Sequence, residues 1–183
     1  VTNAQVVDGT GTSPRLTSVR IEGERITAVG DLSAEPDETV IDGTGLVLAP
    51  GFIDTHSHHD FKLLDMPEAL GAVSQGITTV VVGKDGSSQF PLKTFFDTLN
   101  TKPVAINVAS YVGHNTLRHQ VMQEDHKRPA TDAEIDTMKQ LLRQEMASGA
   151  LGLSSGLEYD SGIYSEPSEV LALAQESANL GGQ

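Results

Sequence analysis

Pro50-Gly51-Phe52-Ile53-Asp54-Thr55-His56-Ser57-His58 runs from a Pro-Gly turn through a mostly apolar, extended segment into two histidines. Gly51 to Thr55 reads as a strand, and side chains two apart on a strand point to the same face. Asp54, His56 and His58 therefore share one face at the strand's C-terminal end. Two imidazoles there can hold one metal ion, and Zn2+ favours nitrogen ligands. Asp54 is placed to orient a ligating imidazole. The alternative for a bare His-x-His is a pair of surface histidines in a loop. The Pro-Gly entry, the apolar strand and the strand–helix rhythm downstream favour ligands. His59 and Asp60 read as rim residues, with contact to substrate or to a ligating side chain as the alternative.

Downstream of this stretch, strands alternate with helices. Pro67 to Gln75 reads as a short helix closed by Gly76. Ile77-Thr78-Thr79-Val80-Val81-Val82 is a β-branched run suited to a strand buried on both faces. Pro91 to Asn100 reads as helix, Val104 to Val112 as a third buried strand, and Ala150 to Ser154 as a fourth. The clearest helix spans Asp132 to about Ser148. Thr131 caps it with Glu134 as the reciprocal partner, and Ile135, Met138, Leu142 and Met146 form its apolar stripe. A last helix runs from Pro167 to Leu180. Such alternation implies parallel strands joined by helical crossovers, an α/β architecture. About four units are present where a closed (β/α)8 barrel has eight. The fold is thus either a smaller open sheet or the first half of a barrel.

Upstream, residues 1–47 read as a small β module, with 48–183 as the α/β part. Asn3 to Asp8, Ser18 to Glu22, Arg25 to Val29 and Thr39 to Asp42 are short strand-like runs separated by Gly, Asp and Pro.

The 183 residues are 38% hydrophobic and 20% charged, enough apolar material for a packed core. The formal net charge is −13 with no cluster of Lys and Arg, which excludes a nucleic-acid binder that must neutralise phosphates. Cysteine is absent, so disulfides and thiolate metal sites are excluded. No apolar run approaches the roughly 20 residues that span a bilayer, so no membrane partner is expected. No signal peptide is visible either. These features point to the cytoplasm, with a removed leader left open because the chain starts at Val1.

Pro50 to His58 resembles the first-strand signature of the amidohydrolase superfamily, and the chain resembles the N-terminal half of its N-acyl-D-amino-acid deacylase (D-aminoacylase) family. Four further segments carry the likeness: Asn3 to Gly11, Gly76 to Gly83, Val112-Gly113-His114-Asn115-Thr116-Leu117-Arg118, and Gly149 to Tyr159. The resemblance implies a small β-sandwich-like module ahead of a metal-dependent TIM barrel, of which about the first half is present. It implies one or two divalent ions, Zn2+ foremost, and a small-molecule N-acyl-D-amino acid as substrate. In that family the second strand commonly ends in a ligating cysteine. Asp85, in Gly83-Lys84-Asp85-Gly86, stands at that position, and a carboxylate is a competent harder ligand. A loop-turn role for Asp-Gly is the alternative. Lys84 is a weaker candidate, as a carboxylated lysine bridging two metals. Tyr159 is implied to hold the substrate's α-carboxylate, against a half-buried aromatic as the plain reading.

Two residues beyond the third strand complete the candidates. His114 reads either as a hydrogen-bonded structural histidine or as a group polarising the substrate carbonyl. Arg118 reads as the partner of a substrate carboxylate or of a surface acid. Ser154 and Ser155 lack the Gly-x-Ser-x-Gly elbow, and no triad order is evident.

The expected chemistry is metal-assisted hydrolysis of an amide, with a carboxylate moving the proton to the leaving amine. By the resemblance, the other ligands and that carboxylate come from later strands, so 183 residues alone are expected to be inactive. The remaining half of the barrel is then expected as a partner, because an open sheet edge exposes unpaired backbone groups. Alternatives are a dihydroorotase- or hydantoinase-like enzyme acting on cyclic amides, and a non-catalytic half-barrel module.

Overall fold

The computed structural model describes residues 1–183, which divide into two units, Val1–Gly51 and Phe52–Gln183. In the first, β1 (Ala4–Val6), β2 (Arg15–Glu22), β3 (Arg25–Gly30) and β4 (Val47–Leu48) form one sheet in the order β3-β2-β1-β4. β2 is antiparallel to both β1 and β3, whereas β4 joins β1 in parallel. Ala4, Val6 and Val19 are its small core. The strand expected over Thr39 to Asp42 does not form; that segment contributes only an isolated bridge between Thr2 and Asp42. Asp42 Oδ1 instead accepts from both the backbone N and the hydroxyl of Thr44. This local bond turns the chain where a ladder would have to continue.

In the second unit β5 (Phe52–Asp54), β6 (Ile77–Val82) and β7 (Asn107–Ser110) form a parallel sheet in the order β5-β6-β7. Val80 and Val82 are fully buried and Val81 nearly so, so both faces of β6 are covered, as its β-branched run requires. The crossovers carry α1 (Leu70–Val73) and α2 (Leu92–Thr101). α1 is shorter than expected because Ala69 takes a left-handed conformation, φ 44°, and delays the helix start. The run expected as one strand over Val104 to Val112 divides its pairing between two neighbours. β7 pairs with β6, while β8 (Val112–Gly113) pairs in parallel with β9 (Leu153–Ser154). Tyr111 N donating to Val82 O and Leu151 N donating to Ser110 O tie the two ladders together.

Three helices complete this unit: α3 (His114–Met122), α4 (Asp132–Ala147) and α5 (Pro167–Asn179). α4 begins with the capping box of Thr131 and Glu134 and buries Met138 and Leu142 completely. Leu92, Leu117 and Leu173 pack with them into the main core. No helix is long and apolar enough to cross a membrane.

Candidate metal centre

β5 ends at Asp54, so His56 and His58 lie just beyond the strand rather than within it. The segment still follows β6, because Ser57 N donates to Val81 O at 3.0 Å. Asp54 Oδ1 accepts from the backbone N of His56 at 3.1 Å. It therefore fixes the bend after the strand, and its bond goes to the main chain rather than to an imidazole. The two rings converge with centroids 5.6 Å apart.

Asp85 reaches the same point from the turn after β6. Its φ of 55° is left-handed, a region that Asp tolerates better than most residues. The turn is held close against its neighbours: a Cβ on Gly83 would lie 2.2 Å from Tyr111 O, and one on Gly156 2.0 Å from Asp85 O. Ser154 Oγ donates to Gly83 O at 2.6 Å and accepts from Gly86 N at 3.2 Å. Asp85 Oδ2 consequently lies 3.2 Å from Nε2 of His56 and 3.2 Å from Nε2 of His58. One donor atom from each of the three residues falls within 4.8 Å of the other two. Ligands about 2 Å from a tetrahedral ion lie roughly 3.3 Å from one another. The three donors thus have the chemistry of a partial zinc shell, and the Asp85 oxygen stands from each imidazole at about the spacing of neighbouring ligands. Their side chains are 59, 47 and 35% exposed, so further ligands can approach.

Other expected residues lie elsewhere. Lys84 Nζ sits 3.9 Å from the centroid of the Tyr111 ring, and burial lowers its pKa. Tyr159 is 54% exposed and packs beside Gly156, the glycine pressed on Asp85. His59 Nδ1 lies 2.5 Å from Ser57 Oγ. Asp60, expected at the rim, is instead buried in the short 3-10 turn His59–Phe61, and neither of its carboxylate oxygens has a partner.

His114 and Arg118 are both fully buried, so neither side chain is presented to a ligand. His114 Nε2 lies 2.8 Å from Glu169 Oε1, and Arg118 Nη1 donates to the same oxygen at 2.6 Å. Arg118 Nη2 donates to the carbonyls of His126 and Arg128. The carboxylate facing Arg118 is therefore an internal one, where a substrate or a surface acid was expected. Burial raises the pKa of Glu169, but the bonds from His114 and Arg118 outweigh it and hold the carboxyl below its usual range. On its other edge, His114 Nδ1 lies 3.3 Å from Ser155 Oγ. A Ser155–His114–Glu169 chain thus exists, although no sequence order announced it. Glu169 was missed because a glutamate in a helix's first turn ordinarily reads as a favourable surface charge.

The sequence model of the amidohydrolase family matches residues 39–178. A D-aminoacylase of Alcaligenes xylosoxydans xylosoxydans is 38% identical over 200 residues, covering 97% of this chain and 41% of the relative. An N-acyl-D-aspartate deacylase of the same organism is 40% identical over 198 residues, covering 96% and 40%. Among solved structures, the N-acyl-D-glutamate deacylase of Bordetella bronchiseptica is similar with a TM-score of 0.93 at 34% identity, over 97% of this chain and 42% of that one. That enzyme is complexed with zinc and a phosphonate inhibitor that mimics the tetrahedral intermediate of the reaction. The chain spans about two fifths of the length of the relatives it matches.

Proposed function

The chain belongs to the amidohydrolase family, and from that premise we propose that its protein is a metal-dependent hydrolase that removes the acyl group from N-acyl-D-amino acids. The observation that carries this reading is the meeting of His56, His58 and Asp85 at the C-terminal ends of two adjacent parallel strands. The likeness to deacylases of N-acyl-D-amino acids supports the substrate class.

In this reading His56, His58 and Asp85 hold one or two divalent ions, zinc by the chemistry of the donors. Bound zinc supplies Lewis acidity to the amide carbonyl and a water acidic enough to attack near neutral pH. Asp54 keeps the His56 backbone in the bend that aims both rings. Ser154 and Gly156 hold the Asp85 turn in place. Tyr159, exposed beside that turn, offers its hydroxyl to the substrate's α-carboxylate. The small β-sandwich-like module expected over residues 1–47 extends to Gly51, because Val47–Leu48 pairs with β1, and Phe52–Gln183 form about the first half of a (β/α)8 barrel. The remaining ligands and the proton-shuttling carboxylate come from outside residues 1–183.

The experiment is elemental analysis of the intact protein together with hydrolysis of N-acetyl-D- and N-acetyl-L-amino acids. Bound zinc and turnover confined to the D series support the reading. Turnover of dihydroorotate instead replaces it with a cyclic-amide hydrolase. Protein that binds no metal, and whose activity is untouched by His56→Ala, removes the metal chemistry altogether.

A further inference from the structure

Ser155 stands at the head of a buried chain of polar groups. Glu169 faces Arg118 and Nε2 of His114, and Nδ1 of the same ring lies 3.3 Å from Ser155 Oγ. An ionised carboxylate only accepts, so the ring proton belongs on Nε2 and Nδ1 is an acceptor. The Ser155 hydroxyl then donates to Nδ1, and what it offers outward is its oxygen lone pairs. Arg118 already balances the charge of Glu169 inside the protein. A second proton on His114 would therefore leave a buried positive charge without compensation. A serine nucleophile needs an imidazole that becomes a cation during the reaction. This chain does something else: it fixes the polarity of one hydroxyl.

The position of Ser155 gives that polarity a use. Ser154 bonds to Gly83 O and Gly86 N, and Gly156 is pressed against Asp85 O. Both neighbours of Ser155 thus pack on the turn that carries Asp85, while Ser155 itself is exposed. We infer that Ser155 accepts a hydrogen bond from the N–H of the scissile amide and so orients the N-acyl amino acid over His56, His58 and Asp85. His114 and Glu169 are positioning residues that act through it. The inference rests on the amide-hydrolase reading and adds a specificity to it. An acceptor-only hydroxyl favours a substrate with a donor at that atom; an amide has one, and an ester of the same shape does not.

The test uses the intact, metal-loaded protein with an N-acyl-D-amino acid and its ester counterpart, in which oxygen replaces the amide nitrogen. Ser155→Ala is expected to lower kcat/KM on the amide about tenfold and to leave the ester within about twofold, at unchanged metal content. Ser155→Thr, which keeps the hydroxyl, is expected to restore most of the amide rate. Equal losses on both compounds, or no loss on either, overturn the assignment of Ser155 while wild-type turnover leaves the functional reading standing. Wild-type protein that turns over neither compound overturns the functional reading and this assignment with it.

Discussion

Arg118 Nη1 lies 2.6 Å from Glu169 Oε1, and neither side chain is open to solvent. The pair joins α3 to α5 through a charge that no water can screen. Removing one partner of a buried ion pair strands the other, at roughly 3–5 kcal/mol. Glu169→Ala is therefore expected to destabilise the protein by about that amount in urea titration. A loss comparable to an exposed pair, under about 1 kcal/mol, would contradict the burial. The pH dependence follows from the lowered pKa of Glu169. Its stabilisation is fully present above the usual value of 4.5 and is lost as pH falls through the lower folded-state value. Wild type and Glu169→Ala should therefore converge in stability at acid pH.

Asp85 stands where the resembling family commonly has a cysteine, and its Oδ2 is equidistant from the two imidazoles at 3.2 Å. If it ligates, the position needs an anionic donor more than it needs oxygen. Asp85→Cys is expected to retain bound zinc, whereas Asp85→Ala is expected to lose a large part of it. Circular dichroism of both variants separates metal loss from unfolding. Full metal occupancy in Asp85→Ala would reduce Asp85 to a residue of the turn.

The Thr131–Glu134 capping box satisfies two otherwise free donors at the start of α4. Arg128 adds two bonds to Glu134 and, with the cap, lowers its pKa to about 2. Thr131→Ala is expected to cost about 1 kcal/mol, and Thr131→Ser much less. Equal stability of Thr131→Ala and wild type by thermal melting would show that the cap contributes nothing.

α4 was legible in sequence because each of its signals is local: a cap at Thr131 and Glu134, and an apolar stripe at 3.6-residue spacing. β6 was legible because Val80, Val81 and Val82 leave no polar face. α3 was not, because its buried face is made of His114, Asn115 and Arg118 beside Leu117 and Met122. A hydrophobic pattern cannot reveal a helix whose interior contacts are polar. The same holds for the candidate site. His56 and His58 announce themselves two residues apart after an apolar strand, and the likeness to known sequences pointed to Asp85. The internal partner of Arg118 lies 51 residues away in another helix, and nothing near it in sequence marks it.

Glu145 is another buried carboxylate, and it lacks a cation. Its Oε2 accepts from Leu92 N at 2.6 Å, so a residue of α4 caps the first turn of α2. Burial pushes its pKa above the usual 4.5, against the smaller lowering effect of that bond. A carboxyl whose pKa rises on folding stabilises most below its unfolded pKa and loses that contribution as pH rises through the folded value. Glu145→Gln keeps an oxygen for Leu92 N and carries no charge. The variant should match wild type near pH 4 and become the more stable of the two as pH rises, levelling off once Glu145 is ionised. Glu145→Ala removes the acceptor as well and should cost roughly 1–3 kcal/mol by stranding the Leu92 N–H. Denaturant midpoints of the three proteins at several pH values measure both effects. A stability difference between Glu145→Gln and wild type that does not change with pH would mean that Glu145 titrates as an exposed group.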